Sequence, residues 1–135
     1  MAKQLKTGTG NDDPLEVLSP EQQIAPVIFA SPHSGTDYPA DFINNSPLDL
    51  PSLRKSEDSF VDELFAAAPD HGMPLLRALF PRSYIDPNRE PFELDPGMFA
   101  DDLPDYANTQ SSRVHAGLGT IARLVSSGQE IYGKK

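Results

Sequence analysis

The sequence predicts an α/β domain with a mixed, partly parallel sheet and flanking helices, and three observations lead to this fold class. Residues 24–30 and 75–80 form two short apolar runs without polar alternation, a pattern typical of strands buried on both faces. The segment between them carries apolar residues at helical spacing, which predicts a βαβ-like crossover. The length of 135 residues corresponds to one domain.

The first elements lie before residue 24. Residues 1–13 are polar and carry both Gly and Asp, so we expect a flexible tail, with the domain over residues 14–135. The run from Leu15 to Leu18 predicts a short strand, and Ser19-Pro20 predicts a turn toward Ile24. We expect this strand to pair with the next one across that turn.

The strand predicted over residues 24–30 ends at Ser31-Pro32 and is followed at once by His33. In open α/β sheets, ligands and catalytic groups collect outside the carboxyl ends of the strands. An imidazole there, followed by the permissive backbone of Gly35, can point into such a crevice. His33 is therefore the first candidate site residue.

The segment from residue 36 to residue 52 is predicted to be an irregular loop, because Pro39, Pro47 and Pro51 interrupt it. The next segment, residues 56–68, predicts a helix. Its apolar stripe comprises Phe60, Val61, Leu64, Phe65 and Ala68.

The start of this predicted helix carries two carboxylates. Ser56 is the expected N-cap, Glu57 and Asp58 suit the positive end of the helix dipole, and Gly72 is expected to supply a left-handed stop. The phase of the helix places Asp58 on the buried side. Interaction with the helix dipole and a functional role both explain an aspartate at this position.

Three further strands and one long loop complete the predicted fold. Residues 75–80 predict a central strand and Tyr84-Ile85 a short strand that ends at Asp86-Pro87, while residues 118–125 return to a buried-strand pattern. Residues 90–112 are acidic and rich in turn-forming residues, which predicts a lid or surface loop.

The arginines are concentrated in the middle of the chain. All six lie between residues 54 and 123, whereas four of the five lysines lie near the termini. Arginine can hold a carboxylate through two hydrogen bonds, so Arg82, Asn88 and Arg89 are candidates for binding an anionic small molecule. Simple pairing with Asp86, Glu90 or Glu93 explains the same arginines equally well.

Composition narrows the class of partner. The net charge of −9 and the pI near 4.6 argue against nucleic acid and against an anionic membrane surface. The sequence has no cysteine, which excludes disulfides and thiolate chemistry and fits a reducing compartment. The first residues lack the apolar core of a secretory signal, and no run approaches a transmembrane length. We therefore expect a cytoplasmic protein.

Several ordered motifs resemble the N-formylglutamate amidohydrolase (N-formylglutamate deformylase) family. The resemblance extends from about residue 14 to the carboxyl end. It rests on Ser31-Pro-His-Ser-Gly35 with Tyr38-Pro39, Glu57-Asp58 followed by Val61-Asp62-Glu-Leu64, Pro81-Arg-x-Tyr-x-Asp-x-Asn-Arg89, and Gly117-Leu-Gly-Thr120. This family in turn is similar to the zinc carboxypeptidases and aspartoacylases, which implies a mixed α/β sheet and a mononuclear zinc site.

The resemblance implies hydrolysis of N-formyl-L-glutamate to formate and glutamate in histidine degradation. It assigns His33 as the first zinc ligand and Asp58 as the acidic ligand, with Glu57 as the alternative. It implies that Asn88 and Arg89 grip the substrate carboxylate and that Arg82 assists. Tyr84 or Asp86 would orient these groups.

The length departs from the family pattern. Members of the family are about twice as long, and their second half supplies a further histidine ligand and the acid/base carboxylate. The resemblance therefore implies that this chain corresponds to the amino-terminal half, in a shortened form. The alternative is a non-catalytic module that keeps the anion-binding arginines and associates with its own copy or with a complementary half through an exposed sheet edge.

Overall fold

A computed structural model describes residues 13–133 of the chain, so the predicted flexible tail lies, except for Asp13, outside the described residues. The strands are β1 (Leu15–Leu18), β2 (Phe29–Ser31) and β3 (Leu75–Ala78). The α-helices are α1 (Ala40–Asn45), α2 (Leu50–Leu53), α3 (Val61–Leu64) and α4 (Ser112–His115). Short 3₁₀ turns occupy Arg54–Ser56, Pro69–His71 and Pro96–Met98.

The three strands form one mixed sheet in the order β1-β3-β2. β1 pairs with β3 in antiparallel orientation, whereas β2 pairs with β3 in parallel orientation across a connection that contains α1, α2 and α3. This confirms the α/β class and the βαβ-like crossover. The expectation that β1 pairs with β2 was wrong, because both strands flank β3.

The strand predicted over residues 24–30 is much shorter than expected. Only Phe29–Ser31 enter the sheet, and Ile24 and Ile28 lie exposed before it. Pro26 has no N–H to donate to a strand ladder, so the run cannot pair along its whole length. The strand over residues 75–80 is confirmed for Leu75–Ala78.

The prediction of an irregular loop over residues 36–52 was wrong, because this segment contains α1 and α2. Pro39 directly precedes α1, and Pro51 lies in the first turn of α2. Proline is tolerated there because the first helical N–H groups have no partner inside the helix. The helices carry Phe42 and Leu53 into the core.

The prediction of a long helix over residues 56–68 was also wrong. Phe60 has a left-handed backbone (φ 67°), and α3 contains only Val61–Leu64. Leu64 and Phe65, predicted to face the core, are exposed, while Asp62 is buried and pairs with Arg77 at 3.3 Å. Gly72 does adopt the predicted left-handed conformation, with φ 74°.

The carboxyl-terminal part supplies half of the main core without forming the predicted strands. Tyr84-Ile85 lies in a turn, and residues 118–125 form bends with one isolated bridge, Leu124 to Glu130, so both strand predictions were wrong. Buried side chains from both halves of the chain meet in one cluster, formed by Tyr38, Phe42, Leu53, Ala122, Val125 and Ile131. In the described part of the chain, none of the helices combines the length and the apolarity that crossing a membrane requires.

Candidate functional site

His33 lies directly after β2, at the carboxyl end of a parallel strand, and is buried. The chain then passes very close to residues 79–80. A Cβ atom added to Gly35 would lie 2.1 Å from the carbonyl oxygen of Phe80, so only glycine fits at this position. The requirement for Gly35 is therefore the close approach of two backbones, and this approach fixes the path of the chain around His33.

Backbone and serine hydrogen bonds hold the segment around residue 58 against the end of β2. The Asp58 amide donates to the His33 carbonyl at 3.0 Å, and the Ser34 hydroxyl donates to the Asp58 carbonyl at 2.8 Å. Ser34 is itself buried and lies 2.7 Å from the Ser31 hydroxyl. The sequence analysis gave Ser34 no role of its own and missed this positioning role.

Both ring nitrogens of His33 contact carboxylates. Nδ1 lies 3.2 Å from Oδ2 of Asp58, and Nε2 lies 2.8 Å from Oδ1 of Asp86. The predicted neighbourhood of His33 and Asp58 therefore exists in the folded chain. Phe60, whose left-handed conformation keeps the helix from starting before Val61, lies two residues after Asp58.

Asp86 is the central acceptor of the site. Besides His33, it receives the Asn88 backbone N–H at 2.9 Å and Nη2 of Arg82 at 2.8 Å, and Nη2 of Arg89 lies at 3.4 Å. Burial alone would raise the pKa of Asp86, but the hydrogen bonds from His33, Asn88 and Arg82 hold it well below its usual range. Because an ionised carboxylate only accepts, Nε2 of His33 carries a hydrogen.

The distance between Nδ1 of His33 and Oδ2 of Asp58 is that of a hydrogen bond, and two ligands of one metal ion have a similar separation. Two ligands of a tetrahedral zinc ion, each about 2.0–2.1 Å from the metal, lie roughly 3.3 Å apart. The Nδ1 to Oδ2 distance of 3.2 Å agrees with this separation. The hydrogen bond from Nε2 to Asp86 is the kind of contact that fixes the ring of a metal-binding histidine.

The described residues provide only two such donors. Within residues 13–133, no group of three or more His, Cys, Asp or Glu side chains is arranged to hold a metal ion. Asp86 does not act as a third donor beside Asp58, because it contacts the opposite nitrogen of the His33 ring.

Glu57, the alternative acidic ligand, points into a different environment. Arg54 donates to its two oxygens, from Nε at 3.0 Å and from Nη2 at 3.1 Å, and the Tyr38 hydroxyl donates to it at 2.7 Å. Burial, together with the hydrogen bond to Glu57, raises the pKa of Tyr38 far above its usual range. The structure thus brings Asp58, and not Glu57, next to His33.

The candidate substrate-binding residues occupy unequal positions. Arg82 lines a cavity of about 190 Å³ together with Ser83, Asp86 and Leu118. Arg89 donates to the carbonyls of Leu118 at 2.9 Å and Asn88 at 2.8 Å, so its guanidinium is largely occupied by the protein.

The side chains of two other predicted site residues make no hydrogen bond with His33. Asn88 is exposed and contacts Asp86 through its backbone. Tyr84 packs on Phe42, with ring centroids 5.2 Å apart, and so belongs to the core. Of the two residues expected to orient the site, Asp86 contacts His33 directly.

Comparisons with known proteins identify the family of the chain. The profile of the N-formylglutamate amidohydrolase family matches residues 25–135. The crystal structure of an N-formylglutamate amidohydrolase from Ralstonia eutropha JMP134 matches with a TM-score of 0.80 and 38% sequence identity, covering 90% of this chain and 42% of that chain. The chain therefore spans less than half the length of that relative. No curated protein sequence matches the chain.

Proposed function

Because the chain belongs to the N-formylglutamate amidohydrolase family, we propose that it takes part in the zinc-dependent hydrolysis of N-formyl-L-glutamate to formate and L-glutamate, a step of histidine degradation. It supplies two metal ligands and the groups that bind the substrate carboxylate. The rest of the active site comes from residues equivalent to the part of the solved relative that this chain does not span. The fold is accordingly that of a zinc exopeptidase-like domain.

One observation carries the proposal. Nδ1 of His33 faces a carboxylate oxygen of Asp58 at 3.2 Å while Nε2 is held by Asp86. With its hydrogen on Nε2, the ring directs the Nδ1 lone pair at an oxygen that is also a lone-pair donor. Two facing electron-pair donors need a cation between them, and a proton or a divalent metal ion meets this need.

His33 and Asp58 would hold the zinc ion, with Asp86 as the orienting partner of His33. When bound, zinc would supply Lewis-acid activation of the amide carbonyl and of water. Asp86 holds the His33 ring in place, and Ser34 and the backbone amide of Asp58 hold the aspartate. The protein thus arranges both donors before the metal arrives, which lowers the cost of binding it.

Arg82 would bind the carboxylate of an N-acyl amino acid substrate. It lines the cavity next to Asp86, and its side chain is partly open to solvent. Arg89 and Asn88 complete this anion-binding segment and hold the residue 86–89 turn against Leu118. An arginine fixed in this way binds a carboxylate with a defined orientation, which places the amide bond relative to the metal donors.

Zinc binding to the 135-residue chain, followed by isothermal titration calorimetry, tests the metal assignment. We expect weak binding with one ion per chain, because the described residues provide two donors. Asp58→Asn should abolish this binding, whereas Glu57→Gln should leave it unchanged in the folded protein. The assignment fails if Glu57→Gln removes zinc and Asp58→Asn does not.

Substrate binding tests the arginine assignment. We expect Arg82→Gln to weaken binding of N-formyl-L-glutamate to this chain at least tenfold, as followed by NMR chemical-shift titration. Arg113→Gln is the matched control, because Arg113 pairs with Glu93 at 3.6 Å and does not line the cavity. Equal affinities of the wild type and Arg82→Gln would contradict the assignment.

A second candidate function is a non-catalytic anion-binding module of the same fold. The absence of a three-donor group within residues 13–133 favours it. The two functions differ in their metal requirement. If N-formyl-L-glutamate binds through Arg82 while zinc fails to bind at all, the module without catalysis is the better description.

A further inference from the structure

The segment that begins at His33 also carries Tyr38, and it is fixed to the rest of the fold along its length. The Asp37 amide donates to the Leu79 carbonyl at 2.9 Å. The Tyr38 ring is buried and stacks on Phe42, with ring centroids 6.3 Å apart. The Tyr38 hydroxyl is therefore held at a defined place relative to His33.

The Tyr38 hydroxyl donates a hydrogen bond of 2.7 Å to Oε1 of Glu57, whose side chain is 1% exposed. Burial, together with the hydrogen bond and the negative charge of Glu57, raises the pKa of Tyr38, so the hydroxyl keeps its proton and acts as the donor. Glu57 directly precedes Asp58 in the chain. Tyr38 thus holds the residue next to the candidate acidic ligand.

The contact with Tyr38 differs from the other contacts of Glu57 in what it connects. Arg54 and Ser59, which also donate to Glu57, are its near neighbours in the chain, and Arg54 alone contacts both carboxylate oxygens. Tyr38 comes from the segment of His33, 19 residues before Glu57. Local donors already satisfy the buried carboxylate, so the bond from Tyr38 adds a connection between two segments.

A second connection joins the same two segments at residue 58. The Asp58 amide donates to the His33 carbonyl at 3.0 Å, and the Ser34 hydroxyl donates to the Asp58 carbonyl at 2.8 Å. These bonds hold the backbone of Asp58, whereas its side chain is 53% exposed and is not fixed by core packing. A segment attached at two points has a defined direction, whereas one attached at a single point can turn.

We propose that Tyr38 is a positioning residue of the candidate site, whose hydroxyl acts through Glu57 to keep the Asp58 carboxylate directed at Nδ1 of His33. Tyr38 is the second attachment point, and the backbone bonds of Asp58 are the first. This inference rests on the proposed function for what Asp58 and His33 bind. The position of Asp58 itself can be measured without a metal ion or a substrate.

Amide hydrogen exchange of Tyr38→Phe, followed by NMR, tests the inference in the metal-free chain. Phenylalanine keeps the ring in the core and removes only the hydroxyl. The Asp58 amide reports the attachment to His33, and the Phe29 amide, which donates to the Pro74 carbonyl at 2.9 Å, reports the sheet. We expect the ratio of the Asp58 rate to the Phe29 rate to rise about fivefold or more, whereas a general loss of stability would speed both.

Zinc affinity of the folded variants gives a second measurement. We expect Tyr38→Phe to bind zinc about tenfold more weakly in calorimetric titration, since an orienting contact is lost while both donors remain. Tyr132→Phe is the matched control, because the Tyr132 ring packs on the same Phe42, at 6.1 Å. It should change neither the exchange ratio nor the zinc affinity. Glu57→Gln keeps an oxygen that accepts from Tyr38 and should behave like the wild type.

Three results would overturn the inference. The first is an unchanged ratio of the two exchange rates in Tyr38→Phe. The second is an equal rise of this ratio in Tyr132→Phe. The third is a raised ratio in Tyr38→Phe together with the zinc affinity of the wild type. If the wild type binds no zinc, the proposed function fails instead, and the exchange ratio alone then decides whether Tyr38 positions Asp58.

Discussion

Glu57 and Asp58 are neighbours in the sequence, carry the same kind of charged group and occupy opposite environments. The Glu57 side chain is 1% exposed, and Arg54, Tyr38 and Ser59 donate to it. The Asp58 side chain is 53% exposed, faces a ring nitrogen of His33 at 3.2 Å and has Arg82 at 3.7 Å. Two neighbouring residues of the chain thus belong to two different clusters of polar side chains.

This difference distinguishes a carboxylate that stabilises the fold from one that can bind a ligand or exchange a proton. Glu57 has donors on both oxygens, so a ligand could reach it only by breaking buried hydrogen bonds, each of which is costly to leave unmade. Asp58 retains solvent access and an incomplete set of partners. A side chain that remains incompletely satisfied next to an oriented histidine is free to bind a cation or to move a proton.

The largest expected effect is a difference in the free energy of unfolding between variants that lack Glu57 and variants that lack Asp58. We expect Glu57→Ala to lower the free energy of unfolding by about 3 kcal/mol, because it leaves Arg54 and the buried Tyr38 hydroxyl without their acceptor. Asp58→Ala should cost less than about 1 kcal/mol, since Asp58 is an exposed partner. Urea unfolding measures both values, and equal losses would remove the distinction.

Asp86 tests whether burial or the neighbouring histidine decides the role of a carboxylate. It is buried like Glu57, but it contacts His33. We expect Asp86→Asn to weaken zinc binding by about 10- to 100-fold, the usual effect of removing a partner that orients a metal-binding histidine. Calorimetric titration of the folded variant measures this change. An unchanged zinc affinity would place Asp86 with the structural carboxylates.

The smallest expected effect is on the free energy of unfolding when Arg54 or Arg82 is replaced by lysine. Arg54→Lys should cost about 1–2 kcal/mol in unfolding free energy, because lysine cannot replace a planar group that contacts both oxygens of Glu57. Arg82→Lys should cost less, since Arg82 makes a single short contact, to Asp86. Chemical unfolding of both variants checks the order, and a reversed order would contradict the comparison.

Sequence patterns predicted which candidate residues lie together better than they predicted the secondary structure. The placement of His33 at the end of a strand follows from an apolar run stopped by Ser31-Pro32, and the structure confirms that placement. The prediction of a helix over residues 56–68 was wrong because helical periodicity describes a segment on its own and not the contacts that it makes in the fold. In the folded chain, Phe60 adopts a left-handed conformation, and the Asp58 amide donates to His33 and not to a helix carbonyl.

Two features of the candidate site had no signal in composition, periodicity or spacing. Ser34 holds the Asp58 carbonyl, and Asp86 collects four donors from residues 33, 82, 88 and 89. Serine and aspartate are common at strand ends and in turns, so their types alone do not distinguish such roles. For Asp86, the family resemblance supplied the clue by implying that Tyr84 or Asp86 orients the site, whereas its position between Arg82 and Arg89 was explained equally well by simple ion pairing.

The sequence by itself determined the mixed α/β class, the position of His33 and the concentration of arginine around residues 82–89. These depend on local composition and on short-range periodicity, which act within a few residues. Only the tertiary structure decided that Asp58 and not Glu57 faces His33, that Asp86 anchors the ring, and that β1 and β2 lie on opposite sides of β3. Each of these depends on contacts between segments distant in the chain, whose geometry is fixed when the backbones pack and their hydrogen bonds are satisfied.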